Sequence, residues 1–310
     1  MATAQWEIGL LFLTQMGRGI LGNFSLLYVY NFPVFKGRKV RPTDLILSQL
    51  ALANSFVLFS RGVPHTIAAF GSKHFLNEPG CKFLFYFHRV ARGVSFTMTA
   101  LLSVFQTIKL CPRFSRWMEL KMRSPACIGF CCSLCWVLHL LVNSVVPVNM
   151  IGPKHSKNTS VKINYEYCSS LNADRTVKFV IGVIFFTVDF VCLGLMVCAS
   201  GSLVVFLHRH KQRVHHRRSP RPCHEARATR GLLILVSAFV SFYSLSSILT
   251  LCVTPSVNPA QWLVTISVFM ALCFPTLSPF VFITHDTRVS KLHSACWERL
   301  SHGNPVSLTH

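Results

Sequence analysis

The chain has 310 residues, of which 51% are apolar and only 13% charged, and its formal net charge is +21. A soluble chain of that composition lacks the polar surface to cover itself, so a bilayer must supply the missing apolar solvent. The positive charge does not mark a nucleic-acid binder either, because the cations are sorted between apolar runs and do not gather on one basic face.

Seven apolar stretches follow one another, most of them about twenty residues long, which is what a helix needs to cross the hydrocarbon core. The expected spans are Gly9–Tyr30, Asp44–Phe59, Phe83–Ile108, Ala126–Val146, Val177–Leu207, Gly231–Val253 and Val264–Ile283. The fold expected is an all-α, seven-transmembrane helix bundle formed by residues 1–310 as one unit, with a short tail from about residue 285. A cleaved signal peptide is the competing reading of the first span. It lacks a basic n-region and a convincing small-residue cleavage site. Arg18, within that span, reads as a snorkelling or structurally paired cation, and Asn23-Phe24-Ser25 is a formal glycosylation sequon discarded because it lies inside the span. The second span is the shortest and is expected to continue past Arg61, whose side chain can reach the outer headgroups.

Lysine and arginine recur in every second gap. Lys36, Arg38, Lys39 and Arg41 follow span one, Lys109, Arg113, Arg116, Lys121 and Arg123 follow span three, and eight more run from Arg209 to Arg230. With Arg288, Lys291 and Arg299 in the tail this side holds twenty of the 31, whereas the opposite side holds eight. The cation-rich side belongs in the cytosol, which places the N-terminus outside and the C-terminus inside.

Span three carries His88, Arg89 and Arg92, roughly 10–17 Å below Cys81 at about 1.5 Å per residue. Asp189 lies near the middle of span five. Ions inside a membrane are costly unless offset, so these residues read either as a ligand pocket with cationic donors facing an acid or as an internal pair that orders the bundle. Tyr243 and Phe242 in span six are pocket wall or ordinary helix packing.

Of the thirteen cysteines, most fall within spans or face the reducing cytosol. Cys81 and Cys168 remain on the outer side, as two free thiols or as one bridge clamping the loop after span four; the oxidising compartment and the matched pair favour the bridge. The same loop holds the sequon Asn158-Thr159-Ser160, on the side where glycosylation occurs.

The run His208, His210, His215 and His216 does not make a metal site: its neighbours are cations and no thiolate or carboxylate joins at ligand spacing. It reads as a solvated basic loop facing anionic lipid and a cytosolic partner, broken by Ser219-Pro220-Arg221-Pro222. Pro275 and Pro279 interrupt the backbone ladder of span seven and allow a kink. In the tail, Val289, Leu292, Cys296 and Leu300 have the spacing of a short amphipathic helix on the inner face. No nucleophile–base pair, phosphate-cradling glycine loop or paired-carboxylate site appears in any span, so neither an enzyme nor a cofactor is expected.

Specific strings resemble the vomeronasal type 1 receptors, a family of G-protein-coupled receptors. They include Thr43-Asp44-Leu45-Ile46-Leu47, Phe85-Tyr86-Phe87-His88-Arg89-Val90-Ala91-Arg92-Gly93, Pro112-Arg113-Phe114-Ser115-Arg116-Trp117, Tyr167-Cys168-Ser169-Ser170 and Cys273-Phe274-Pro275-Thr276-Leu277-Ser278-Pro279-Phe280. The Asp-Arg-Tyr usual in rhodopsin-like receptors is replaced by Phe105-Gln106-Thr107, and the usual span-two acid by Asn54. An arginine–acid inner lock and an acid-centred sodium site are therefore not expected.

The resemblance implies a multi-pass plasma-membrane receptor for pheromone-like small organic ligands. Its implied partner is an inhibitory-class heterotrimeric G protein entering between the inner ends of spans three, five and six. Gln106, Thr107, Arg209, Arg213 and Arg227 are the candidate coupling residues there. A bitter taste receptor is the nearest rival. A transporter is the rival from another class, but the chain shows no obvious repeat between early and late spans.

Overall fold

The computed structural model describes residues 2–35, 37, 40–72, 75–110, 124–151, 161–164, 168–171, 175–216, 223–253 and 260–285. The helices in chain order are α1 (Ala2–Phe35), α2 (Pro42–Val57), a π-helical turn (Leu58–Gly62), α3 (Val63–Ala69), α4 (Glu78–Leu110), α5 (Pro125–Val142), α6 (Arg175–His216), α7 (Cys223–Val253) and α8 (Gln261–His285). Because α2, the π-helical turn and α3 run on without a break, these elements make seven rods, one for each expected span.

The second rod does continue past Arg61, and its irregularity has a local cause. Pro64 has no N–H to return to the carbonyl four residues earlier, and the ladder widens into a π turn over Leu58–Gly62 just before it. Ser60, within the turn, donates its hydroxyl to the Phe56 carbonyl at 2.6 Å.

Four stretches among the described residues are long and apolar enough to cross a bilayer: Pro42–Ala69, Pro125–Val145, Thr187–Phe206 and Trp262–His285. The apolar part of α7, Leu233–Leu249, is shorter, and α1 and α4 carry more polar and charged side chains along their length. These three rods complete the bundle by packing. Its outside is greasy: Leu21 is 71% exposed, Phe130 68% and Phe190 66%. Large apolar side chains that bare in every direction suit a lipid solvent and not water.

The core runs between α2, α4, α6, α7 and α8, around Ile46, Leu50, Phe96, Leu102, Met196, Leu203, Leu235, Phe239 and Phe274. Polar side chains inside it are satisfied along the helices. Thr99, Ser103 and Thr107 of α4 each turn the hydroxyl back onto the carbonyl four residues earlier, at 2.8–2.9 Å. α8 needs outside help, because Pro279 leaves the Pro275 carbonyl without its helical donor. Asn23 of α1 supplies one, its Nδ2 lying 2.8 Å from that oxygen. Gly22, the residue before, permits the approach, since a Cβ there would stand 2.9 Å from Pro279 Cγ.

A second polar joint ties three rods together. Asn54 of α2 accepts a hydrogen bond from Ser95 of α4 at Oδ1 (2.6 Å) and donates from Nδ2 to Ser278 of α8 (2.9 Å). Asn54 is 1% exposed, so both halves of its amide are used where water could not substitute.

Two regions differ from the sequence expectation. The basic stretch from His208, expected as loop, is helical as far as His216, because lysine, arginine and glutamine are good helix formers. The loop after α5 is not irregular: β1 (Met150–Ile151), β2 (Val161–Asn164) and β3 (Ser169–Leu171) form an antiparallel sheet in the order β1-β3-β2, with Met150 opposite Ser170 and Asn164 opposite Ser169. The Asn158 sequon, the Ser219-Pro220-Arg221-Pro222 break and the amphipathic tail lie outside the described residues.

Cys81 at the start of α4 and Cys168 beside β3 form a disulfide, closing 87 residues of chain. Both are buried against Ala68, with Leu76, Phe85 and Val146 packed around them. The bridge thus pins the sheet to the bundle. Cys168→Ser is expected to cost about 2–5 kcal/mol of stability and to lower surface delivery several-fold, read by antibody staining of intact against permeabilised cells. Equal staining would show that the sheet holds its place without the bridge.

Candidate ligand site

In α4, the half nearest the disulfide, Arg89, Arg92 and Gly93 occur within about one turn of each other, and across from them α5, α6 and α7 leave a gap. The gap is a cavity of about 270 Å³, bounded by Arg92 and Phe96 of α4, His139 of α5, Asp189 and Cys192 of α6 and Tyr243 of α7. Most of its surface is apolar, with a few polar groups converging on it, as in small-molecule sites generally.

Three of the residues singled out in the sequence meet here. The Tyr243 hydroxyl donates to Asp189 Oδ2, and the Arg92 guanidinium carbon lies 4.6 Å from the centroid of the Tyr243 ring. Among the described residues no ion pair joins Arg92 directly to Asp189. Tyr243 stands between them, bonding the anion at its hydroxyl and the cation at its π face. An acid and a base that sequence reading could only set opposite each other are coupled through an aromatic ring.

That ring belongs to a column. Phe96 stacks on Tyr243 with centroids 4.7 Å apart and on Phe239 at 4.9 Å, and Phe239 meets Phe274 of α8 edge to face at 4.5 Å. Anything that displaces Tyr243 therefore presses on α4, α7 and α8 together, because aromatic contacts of this kind are packed and directional.

His88 is placed differently. It is 7% exposed, with Nδ1 3.4 Å from Ser60 Oγ, and it borders a second, much smaller cavity of about 40 Å³. Arg92, Tyr243 and Ser95 border that space too, so it joins the larger cavity to the Asn54 joint.

The opposite end of the bundle holds the candidate coupling residues. Thr107 is buried, and its one hydroxyl hydrogen is shared between the Ser103 carbonyl of its own helix at 2.9 Å and the Ala199 carbonyl of α6 at 3.1 Å. Gln106 is half-buried beside it and Arg209 is exposed on α6. Arg213 and Arg227 lie on the helices α6 and α7, and their side chains are outside what the structure describes.

The sequence reading passed over His139, Phe96, Thr97 and Cys192. The imidazole of His139 lies against α4: its Nε2 is 2.8 Å from Thr97 Oγ1, and Thr97 donates its own hydrogen to the Gly93 carbonyl at 3.0 Å. A ring that carries its proton on Nε2 donates to Thr97 while the Thr97 hydrogen serves the Gly93 carbonyl.

Comparison with known proteins assigns the architecture. Residues 6–295 match the model of the vomeronasal organ pheromone receptor family. The chain belongs to that family. It is 54% identical over 303 residues to human (Homo sapiens) vomeronasal type-1 receptor 1, covering 96% of this chain and 86% of that protein. It is 44% identical to human vomeronasal type-1 receptor 4, over 96% of this chain and all of that one. At greater distance it is 30% identical to olfactory receptor class A-like protein 1 of zebrafish (Danio rerio), over 91% and 90% of the two chains. In fold it is similar to squid rhodopsin, with a TM-score of 0.74 at 15% identity over 99% of this chain and 89% of the other. The receptor is thus a chemosensory G-protein-coupled receptor, a multi-pass protein of the plasma membrane, and not an enzyme. The bitter taste receptor and transporter readings are not favoured by these relatives.

Proposed function

We propose that the receptor binds a pheromone-like small organic ligand in the cavity between α4, α5, α6 and α7 and signals through an inhibitory-class heterotrimeric G protein. The supporting observation is the Arg92–Tyr243–Asp189 arrangement on an otherwise apolar cavity wall. A ligand with an apolar body and one hydrogen-bond-accepting group fits that chemistry. Its acceptor draws the guanidinium of Arg92 off the Tyr243 ring, and the aromatic column carries the change to α7 and α8. Ligand binding shifts the population toward the packing it prefers. In this reading His88, Arg92, Asp189 and Tyr243 serve ligand response, with His88 acting from the smaller cavity.

The N-terminus and the disulfide-pinned sheet face outside, where Asn158 carries a glycan, and the C-terminus is cytosolic. Gln106, Arg209, Arg213 and Arg227 present the G-protein surface, and the basic residues there also face anionic lipid.

The test is a screen of volatile and steroid-like small molecules in cells that co-express the receptor with a G-protein biosensor and report its surface level. An agonist response that pertussis toxin abolishes supports the reading. A response that survives the toxin removes the inhibitory class, and an amino-terminal tag reachable only after permeabilisation removes the orientation.

A further inference from the structure

We infer that the His139 ring, docked on Gly93, is the wall that limits how long an apolar body the ligand cavity admits. The inference rests on the reading of this cavity as the ligand site and deepens it.

Gly93 is where α4 makes room for the ring. A Cβ built on Gly93 would lie 2.3 Å from His139 Nδ1, 2.5 Å from Cε1 and 3.1 Å from Cγ. Any side chain at position 93 drives the ring away, because contacts that short do not occur. One turn further along α4, Thr97 holds the other end of the same ring edge through the Nε2 hydrogen bond at 2.8 Å. The imidazole is therefore seated along α4 at two points. On its own helix the Asn143 side chain caps the His139 carbonyl at 2.8 Å, which fixes the last turn of α5 from which the ring projects.

From α5, Cys135, Leu138 and Val142 also line the cavity, but none of them carries a ring. Of its residues, only Ile128 and Cys132 are buried, and most of its apolar side chains face outward. The ring of His139 is the bulky group α5 sends across to α4. At about 270 Å³ the cavity is small for a ligand site, so the volume of one ring is a large share of what it can hold. Removing the ring opens space toward α5, and each further methylene that enters it adds about fourfold in affinity, the factor that burial of one CH₂ gives.

Cys192, 8% exposed and on the cavity wall, allows a test that needs no agonist. Purified receptor in nanodiscs is treated with alkyl methanethiosulfonates graded from methyl to dodecyl, and labelling of the Cys192 peptide is read by mass spectrometry. Wild type is expected to accept only the short members. His139→Ala should admit chains several carbons longer, whereas Gly93→Ala should slow labelling at every length because the displaced ring fills the cavity. The double variant should label like His139→Ala, since the clash partner is gone. His139→Gln, which can still donate to Thr97, separates the ring's volume from its hydrogen bond.

An unchanged length limit in His139→Ala, or a Gly93→Ala effect that persists without the ring, would overturn the proposal. Agonist response in the same variants reports on the site itself. A length limit that moves while response to a homologous agonist series does not leaves the wall in place and removes the cavity as the ligand site.

Discussion

Arg92→Ala is expected to shift the agonist concentration–response curve rightward by roughly 10- to 150-fold, with surface expression within a factor of about two of wild type. The size follows from a hydrogen bond to a charged group in a water-poor site, worth about 1.5–3 kcal/mol. The small effect on expression follows from the geometry. Arg92 rests over the Tyr243 ring and makes no ion pair with Asp189, so its removal strands no opposite charge that it had neutralised by direct contact. Asp189→Asn keeps an acceptor for the Tyr243 hydroxyl and should shift the curve less, by about fivefold. Tyr243→Phe is the discriminating variant: the ring that stacks on Phe96 remains, but the donor to Asp189 is lost. If the arrangement serves ligand response, Tyr243→Phe alters potency at normal surface level. Equal loss of surface expression in Arg92→Ala and Asp189→Asn would instead identify the three residues as a structural brace.

The parts of this arrangement differ in how far the sequence disclosed them. Arg92 and Asp189 stand out because a charge within a long apolar run is rare and needs a reason. The same runs disclose the rods, since their length matches the bilayer and their flanking cations sort by side. The place of Tyr243 between Arg92 and Asp189 is not legible in the sequence: it depends on how α4, α6 and α7 are rotated about their axes. His139 was hidden for the same reason. A lone histidine in span four carries no periodic signal, and the glycine and threonine opposite it, on another helix, explain where the ring lies. The helical extension through His216 leaves no sign in the sequence pattern, because charge marks exposure and says little about backbone shape. The small sheet beside Cys168 consists of strands of two to four residues, too short for alternation to register, and is organised by the disulfide and the bundle beneath it.

Asn54 gives the larger expected effect on the folded bundle. Asn54→Leu removes both the acceptor for Ser95 and the donor to Ser278 at a position 1% exposed. Ser278 keeps its own long hydrogen bond to the Pro275 carbonyl at 3.5 Å and loses only a donor to its oxygen. Ser95 faces the greater loss, and a buried hydroxyl left unpaired costs about 1–3 kcal/mol. The variant is expected to melt roughly 2–12 °C below wild type in detergent and to reach the surface poorly. Asn54→Asp separates the loss of hydrogen bonds from the introduction of charge. A carboxylate accepts from both serines, so the joint keeps two bonds, but it brings an ion into an apolar interior that must be neutralised. Thermal stability of Asn54→Asp should therefore rise with sodium concentration at constant ionic strength, whereas wild type, whose amide satisfies one serine as acceptor and the other as donor, should not respond. A wild-type receptor as sodium-dependent as the Asn54→Asp variant would mean that the joint binds a cation despite its neutral centre. An Asn54→Leu receptor of normal stability would mean that α2, α4 and α8 are held by their apolar contacts alone.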